Sequence, residues 1–209
     1  MINTYQIGNA QTIGRREVQS NYFSTRQNNA GDLLAVLADG TIDHANGRTA
    51  AVMAVEYCVE VFLRNIFHKY TEETLLETAL QANRYVQDTV YMDKSPRLSL
   101  SMVLFTYEEI LYFSVGSNKI FLYDGYSERP LGGDGNSPYV NGQFPLPKKC
   151  VIGILSAGAH SITHPMERIK IVESEIETFD KAQAFIELTK GKRQDNQANA
   201  TVLLIDVRK

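Results

Sequence analysis

The spacing of apolar residues changes from segment to segment, and each change predicts an element. Asn3 to Ile7 and Tyr22 to Thr25 read as strands flanking a polar turn, and Leu33 to Ala38 is an unbroken apolar run, as in a fully buried strand. After Gly47 the apolar positions Ala50, Ala54, Tyr57, Cys58, Val61 and Phe62 recur at helical spacing, and Leu75, Leu76, Ala79, Leu80, Val86 and Val90 do so again. Two amphipathic helices are expected there. Thr71 suits the N-cap of the second, with Glu72 and Glu73 complementing the helix dipole in its first turn.

From Leu98 the period becomes two. The stretch "LSLSMVLFTYEEILYFSVGSNKIFLYDG" predicts a meander of three antiparallel strands turning at Glu108-Glu109 and near Gly116-Ser117-Asn118. "LGGDGNSPYVNGQFPLPKK" is rich in Gly, Pro and Asn and predicts a long loop. A strand Cys150 to Leu155, a helix around Phe179 to Leu188 and a final strand Thr201 to Val207 complete the chain. Strands in runs, interrupted by two consecutive helices, predict an α+β fold of antiparallel sheet with helices on its faces. At 209 residues the expectation is a single domain, 1–209.

Charge narrows the function classes. A formal net charge of -3 gives no basic field for nucleic acid or an anionic membrane, and the short basic run Lys190 to Arg193 is diluted by Asp195. Cys58 and Cys150 each lie inside an apolar segment, which fits reduced core thiols better than a disulfide framework. The opening "MINTYQIGNA" has neither a basic nor an apolar signal region, and no apolar run approaches the ~18 residues that cross a bilayer. A cytoplasmic protein is expected.

Asp39-Gly40 places a carboxylate where the apolar run ends. Alone, the pair reads as a turn. Asp43 and His44 follow closely enough to suggest a replacement metal site, although such a cluster after a strand is ordinarily a polar loop. His160 and His164 are four apart, but Pro165 follows directly and no Glu supports a zinc motif. "GGDGN" lacks the spacing of a phosphate or calcium loop, and Tyr107, Tyr112 and Tyr123 read as packing residues.

The order of motifs says more than any one of them. "IGRREVQSN", then "ADG" before an Ala-rich helix, "VGSNKIFLYDG", "VIGILSAG" and a closing "NATVLLIDV" follow the sequence of segments in the metal-dependent, type 2C (PPM-type) serine/threonine protein phosphatases. The chain resembles that family over nearly its whole length. The resemblance implies a four-layer αββα sandwich of two antiparallel sheets flanked by helices. It also implies a site in which aspartates gather two Mg2+ or Mn2+ ions and an early arginine holds the substrate phosphate.

Matched to the family's motifs, Gly14 and Arg16 fit the opening one, and Asp39 and Gly40 fit the A-D-G. The family's aspartates are replaced by Asn21, Ser117, Ala157 and Ala198, with Asn199 and Thr201 in register after the last. A shifted alignment uses Asp195 instead of Ala198, at the expense of extra residues before the strand. Asn21 and Ser117 keep a neutral oxygen, whereas the two alanines offer none. Two divalent ions about 4 Å apart repel by roughly 4–16 kcal/mol, which one carboxylate does not offset.

The resemblance therefore implies a pseudophosphatase, with Arg16 retained as a phosphate anchor rather than a solvated surface arginine. Arg15 is a less well-placed competitor. No tightly bound cofactor is expected, and the partner is a phosphorylated or regulatory protein. The alternative is an active serine/threonine phosphatase with an altered Mg2+ or Mn2+ centre drawing on Asp39, Asp195, Asp43 or His44. A third reading makes the domain a structural subunit of a bacterial-type signalling or secretion assembly.

Overall fold

The computed structural model describes residues 4–40, 46–64, 69–91, 98–132, 138–192 and 197–208. They form two antiparallel sheets with helices packed against them, an α+β fold, as the order of elements predicts. The chain divides into two compact units. No helix among the described residues is long and apolar enough to cross a membrane.

One unit takes the described residues of 20–116 and 132–146. Its sheet has the order β2 (Asn21–Gln27), β3 (Leu33–Gly40), β4 (Leu98–Phe105), β5 (Glu109–Val115) and β8 (Tyr139–Pro145). β3 is paired on both edges, by β2 and β4, and its apolar run is buried on both faces: every residue from Leu33 to Ala38 is buried. Helix α1 (Gly47–Arg64) lays Ala50, Ala51 and Ala54 on Val36 and Ala38, and these short side chains let the helix lie close to the sheet. Helix α2 (Glu72–Val86) starts where expected: Thr71 Oγ1 accepts the Thr74 amide at 3.2 Å, and a π-helical turn (Gln87–Tyr91) extends its far end.

The other unit takes the described residues of 4–19, 117–131 and 147–208. Its sheet has the order β1 (Thr4–Thr12), β10 (Ala200–Arg208), β9 (Lys149–Leu155), β6 (Lys119–Tyr123) and β7 (Glu128–Pro130). The short helix α3 (Ala157–His160) follows β9, and α4 (Pro165–Glu173) and α5 (Thr178–Gly191) bury Val172, Ala182, Phe185 and Ile186 against Val202 and Leu204.

Several expectations change. The meander does not exist as a three-stranded unit: β4 and β5 form a hairpin, but β5 pairs onward with β8 while β6 pairs with β7 and β9 in the other sheet. Alternation fixes strands, not partners, and a Gly-containing connection serves a hairpin or a change of sheet equally. The long loop contains β8, whose "YVNGQFP" is poor in strand formers and is only partly buried. Stacking of Tyr139 on Phe113, at 5.7 Å between ring centres, and contact of Phe144 with Tyr112 hold it as an edge. Helix α4 was not expected either. Pro165 opens it at the first position, with His164 as the cap: His164 Nδ1 accepts the Met166 amide, and Glu167 Oε2 accepts the His164 amide. His160 ends α3, so the two histidines share no helix. Cys58 and Cys150 are buried free thiols.

Candidate functional site

In the unit containing β3, Asp39 lies opposite Asn21 on β2 and Ser99 on β4, at the end of the sheet where α1 begins. Gly40 is required there, since a Cβ on it would lie 2.0 Å from the carbonyl oxygen of Gly47, the first residue of α1. The Asp39 carboxyl is largely buried, and burial alone pushes its pKa up to about 6. Arg48, in the first turn of α1, is engaged elsewhere: it donates to the Asn21 carbonyl and stacks 4.8 Å from the Tyr22 ring centre. Asn21 is fully buried. Asp43 and His44 lie outside the described residues.

In the other unit, the loop carrying Arg16 is fixed from the opposite end of the chain. Asn199 Nδ2 donates to the carbonyls of Ile13 at 2.8 Å and Val18 at 3.1 Å, and the Arg15 amide donates to the Gln197 carbonyl at 3.0 Å. Gly14 turns between these bonds with φ +64°, and a Cβ on it would stand 2.5 Å from the carbonyl oxygens of Gln197 and Ala198. Gly14→Ala is expected to lower stability by about 1–3 kcal/mol through the left-handed backbone and this overlap. Urea denaturation measures it; an unchanged midpoint would mean the loop opens freely away from Asn199. Arg15 is exposed, whereas Arg16 is half-buried with an Nε that is buried and has no hydrogen-bond partner among the described residues.

The ends of β9 and β10 meet beside this loop. The Ser156 amide donates to the Thr201 carbonyl and the Thr201 amide to Ser156 Oγ, both at 3.0 Å, which brings Ala157-Gly158 against Ala198-Asn199. A Cβ on Gly158 would approach the Ala198 Cβ at 3.3 Å. The two alanine positions thus share one half-buried corner with the Arg16 loop, and neither supplies a donor atom. Ser117, also in this unit, is exposed at the turn before β6. Asp195 lies outside the described residues. Among the described residues no group of three or more His, Cys, Asp or Glu side chains is placed to hold a metal ion.

Sequence reasoning put Asn199 in register without giving it a task; its task is to hold the Arg16 loop. The tyrosines divide: Tyr107 is 60% exposed at a hairpin tip, against expectation, while Tyr112 and Tyr123 pack.

No protein-family profile matches the chain, and no curated protein is significantly similar to it. Solved structures are. The catalytic domain of the serine/threonine protein phosphatase PstP, in complex with two manganese ions, is 14% identical with a TM-score of 0.84, over 99% of this chain and 100% of that one. A serine/threonine phosphatase of S. agalactiae is 17% identical with a TM-score of 0.76, over 97% and 99%. PppA, described as a key regulatory component of the type VI secretion system in Pseudomonas aeruginosa, is 14% identical with a TM-score of 0.75, over 97% of each chain. The fold of this chain is that of the protein phosphatase 2C-like proteins.

Proposed function

We propose that residues 1–209 form one protein phosphatase 2C-like domain acting as a pseudophosphatase: a cytoplasmic binding or regulatory module that recognises phosphorylated protein without hydrolysing it efficiently. The carrying observation is the corner shared by the Arg16 loop, Ala157 and Ala198. On its arginine side Asn199 fixes the loop, and the Arg16 Nε is buried with no hydrogen-bond partner among the described residues, which supports a phosphate-binding role for Arg16. The corner's metal-binding half lacks atoms to bind with.

The residues do not fit a pair of divalent ions. Mg2+ and Mn2+ are hard ions that take oxygen ligands. Ala157 and Ala198 bring no oxygen side chain, Asn21 and Ser117 bring only neutral ones, and Asp39 is the one matching carboxylate among the described residues. Arg16, by contrast, has the planar fork that pairs with a phosphate dianion through two parallel bonds.

One observation favours the alternative, an active enzyme with an altered centre. A buried Asp39 whose pKa is raised by burial alone is a carboxylate that a cation would relieve. Calorimetric titration with Mn2+, beside hydrolysis of a phosphothreonine peptide, separates the two. The pseudophosphatase reading expects no saturable metal heat and no turnover above that of Asp39→Asn. It also expects phosphopeptide binding that weakens about tenfold or more in Arg16→Ala, for loss of a charge-assisted bond. Mn2+-dependent turnover abolished by Asp39→Asn would establish the enzyme instead.

A further inference from the structure

A cavity of about 600 Å³ opens far along the strands from the Arg16 loop, within the unit that contains β10. Its floor is made by the first residues of β9 and the last of β10, and its wall by the connection between α4 and α5. The volume is that of small-molecule sites.

Two buried charges of opposite sign line it, and each keeps a hydrogen-bonding position unfilled among the described residues. Asp206 interrupts the apolar run of β10 and is 3% exposed; its Oδ2 accepts from Arg208, while Oδ1 is buried with no hydrogen-bond partner among the described residues. Lys181 on α5 is also buried, and its ammonium donates one bond, to the Val172 carbonyl at 2.8 Å, leaving two of its three protons unassigned. No ion pair joins Asp206 to Lys181. A buried charged group left short of partners is expensive, so such a pair in a cavity marks a place where a ligand completes it. Burial lowers the Lys181 pKa; Arg208 and Lys149 push the same way, and Asp206 and Glu177 oppose them. Cys150 lines the cavity too, its pKa pushed up to about 12 by burial and by Asp206, so this thiol stays protonated.

We propose that this cavity binds a small zwitterion of the amino-acid class, its ammonium on Asp206 Oδ1 and its carboxylate on the Lys181 ammonium. A lone cation would meet Lys181 and a lone anion would meet Asp206; a molecule carrying both charges satisfies each. The apolar wall at Val151, Val172 and Ile176 leaves room for a side chain. Neither Arg16 nor Asp39 takes part, so the site is independent of phosphoprotein binding.

The test titrates the purified chain with the common L-amino acids singly, by thermal shift and calorimetry. The N-acetyl derivative and the primary amide of any binder follow. At least one amino acid is expected to raise Tm and give saturable heat, with affinity falling about tenfold or more on N-acetylation, on amidation, and in Asp206→Asn and Lys181→Met. The ligand derivatives ask the question of the unaltered protein, so the answer survives a variant that fails to fold. No shift and no heat from any amino acid would overturn the proposal, as would derivatives that bind as well as their parent.

Discussion

Asp39→Asn is expected to raise stability at pH 7 by about 1–3 kcal/mol and to flatten a pH dependence between roughly pH 4 and 6. Burial lifts the carboxyl from its ordinary 3.8 to about 6. Each pKa unit corresponds to about 1.4 kcal/mol, so the upper bound is about 3 kcal/mol. The sign follows from proton binding. Between those two values the folded state holds the proton more tightly than the unfolded state, so stability contributed by Asp39 is full below about pH 4, falls as pH rises, and is lost above about pH 6. Asn keeps the shape and removes the charge, and therefore the loss. Urea denaturation of both proteins at pH 4.5 and pH 7, with chelator present, measures the difference. A destabilised variant at pH 7 would mean that the carboxylate has a cationic partner in solution. If that result appears only without chelator, the partner is a divalent ion.

This penalty also explains why the site was legible in part. Asp39 announces itself because a carboxylate ending an apolar run has no packing reason to be there. Arg16 and Asn199 lie 183 positions apart, and their union depends on β1 and β10 pairing along the sheet, which no local pattern encodes. The strands and helices with a clean period were readable: β3, α1, the Thr71 cap and the β4–β5 hairpin stand as the pattern predicts. What failed were assignments that need a partner. β8 is a strand because Tyr139 and Phe144 find ring partners on β5, and β6 joins the other sheet because β9 is there to pair with it. Asp206 falls between these cases. Its place in "VLLIDV" was visible, but its meaning depends on Lys181 from a helix that precedes it in the chain.

Glu128→Gln is expected to destabilise the protein by about 3–5 kcal/mol, the largest effect of any single polar replacement considered. Glu128 sits on the short edge strand β7 and Arg168 on α4, and both side chains are 6% exposed. Arg168 Nε donates to Glu128 Oε2 at 2.9 Å, one terminal nitrogen donates to Oε1 at 2.5 Å, and the other donates to the Thr163 carbonyl at 2.6 Å. The guanidinium also lies 5.9 Å from the Phe121 ring centre. Such a fork is complete only while the carboxylate is charged. Gln replaces one acceptor oxygen by a donor facing the guanidinium, and leaves a cation where water does not reach. Burial distinguishes this pair from Arg64–Glu60 on α1, whose side chains are 78% and 56% exposed and whose removal should change stability by less than about 1 kcal/mol. The double replacement Glu128→Leu with Arg168→Met removes both charges together, and is expected to be less damaging than Glu128→Gln alone. Urea denaturation measures Glu128→Gln, and that of Glu128→Leu, Arg168→Met and the double replacement, beside the parent, closes the cycle. Additive losses would mean that the two side chains act independently, and that β7 is held to α4 by packing rather than by charge.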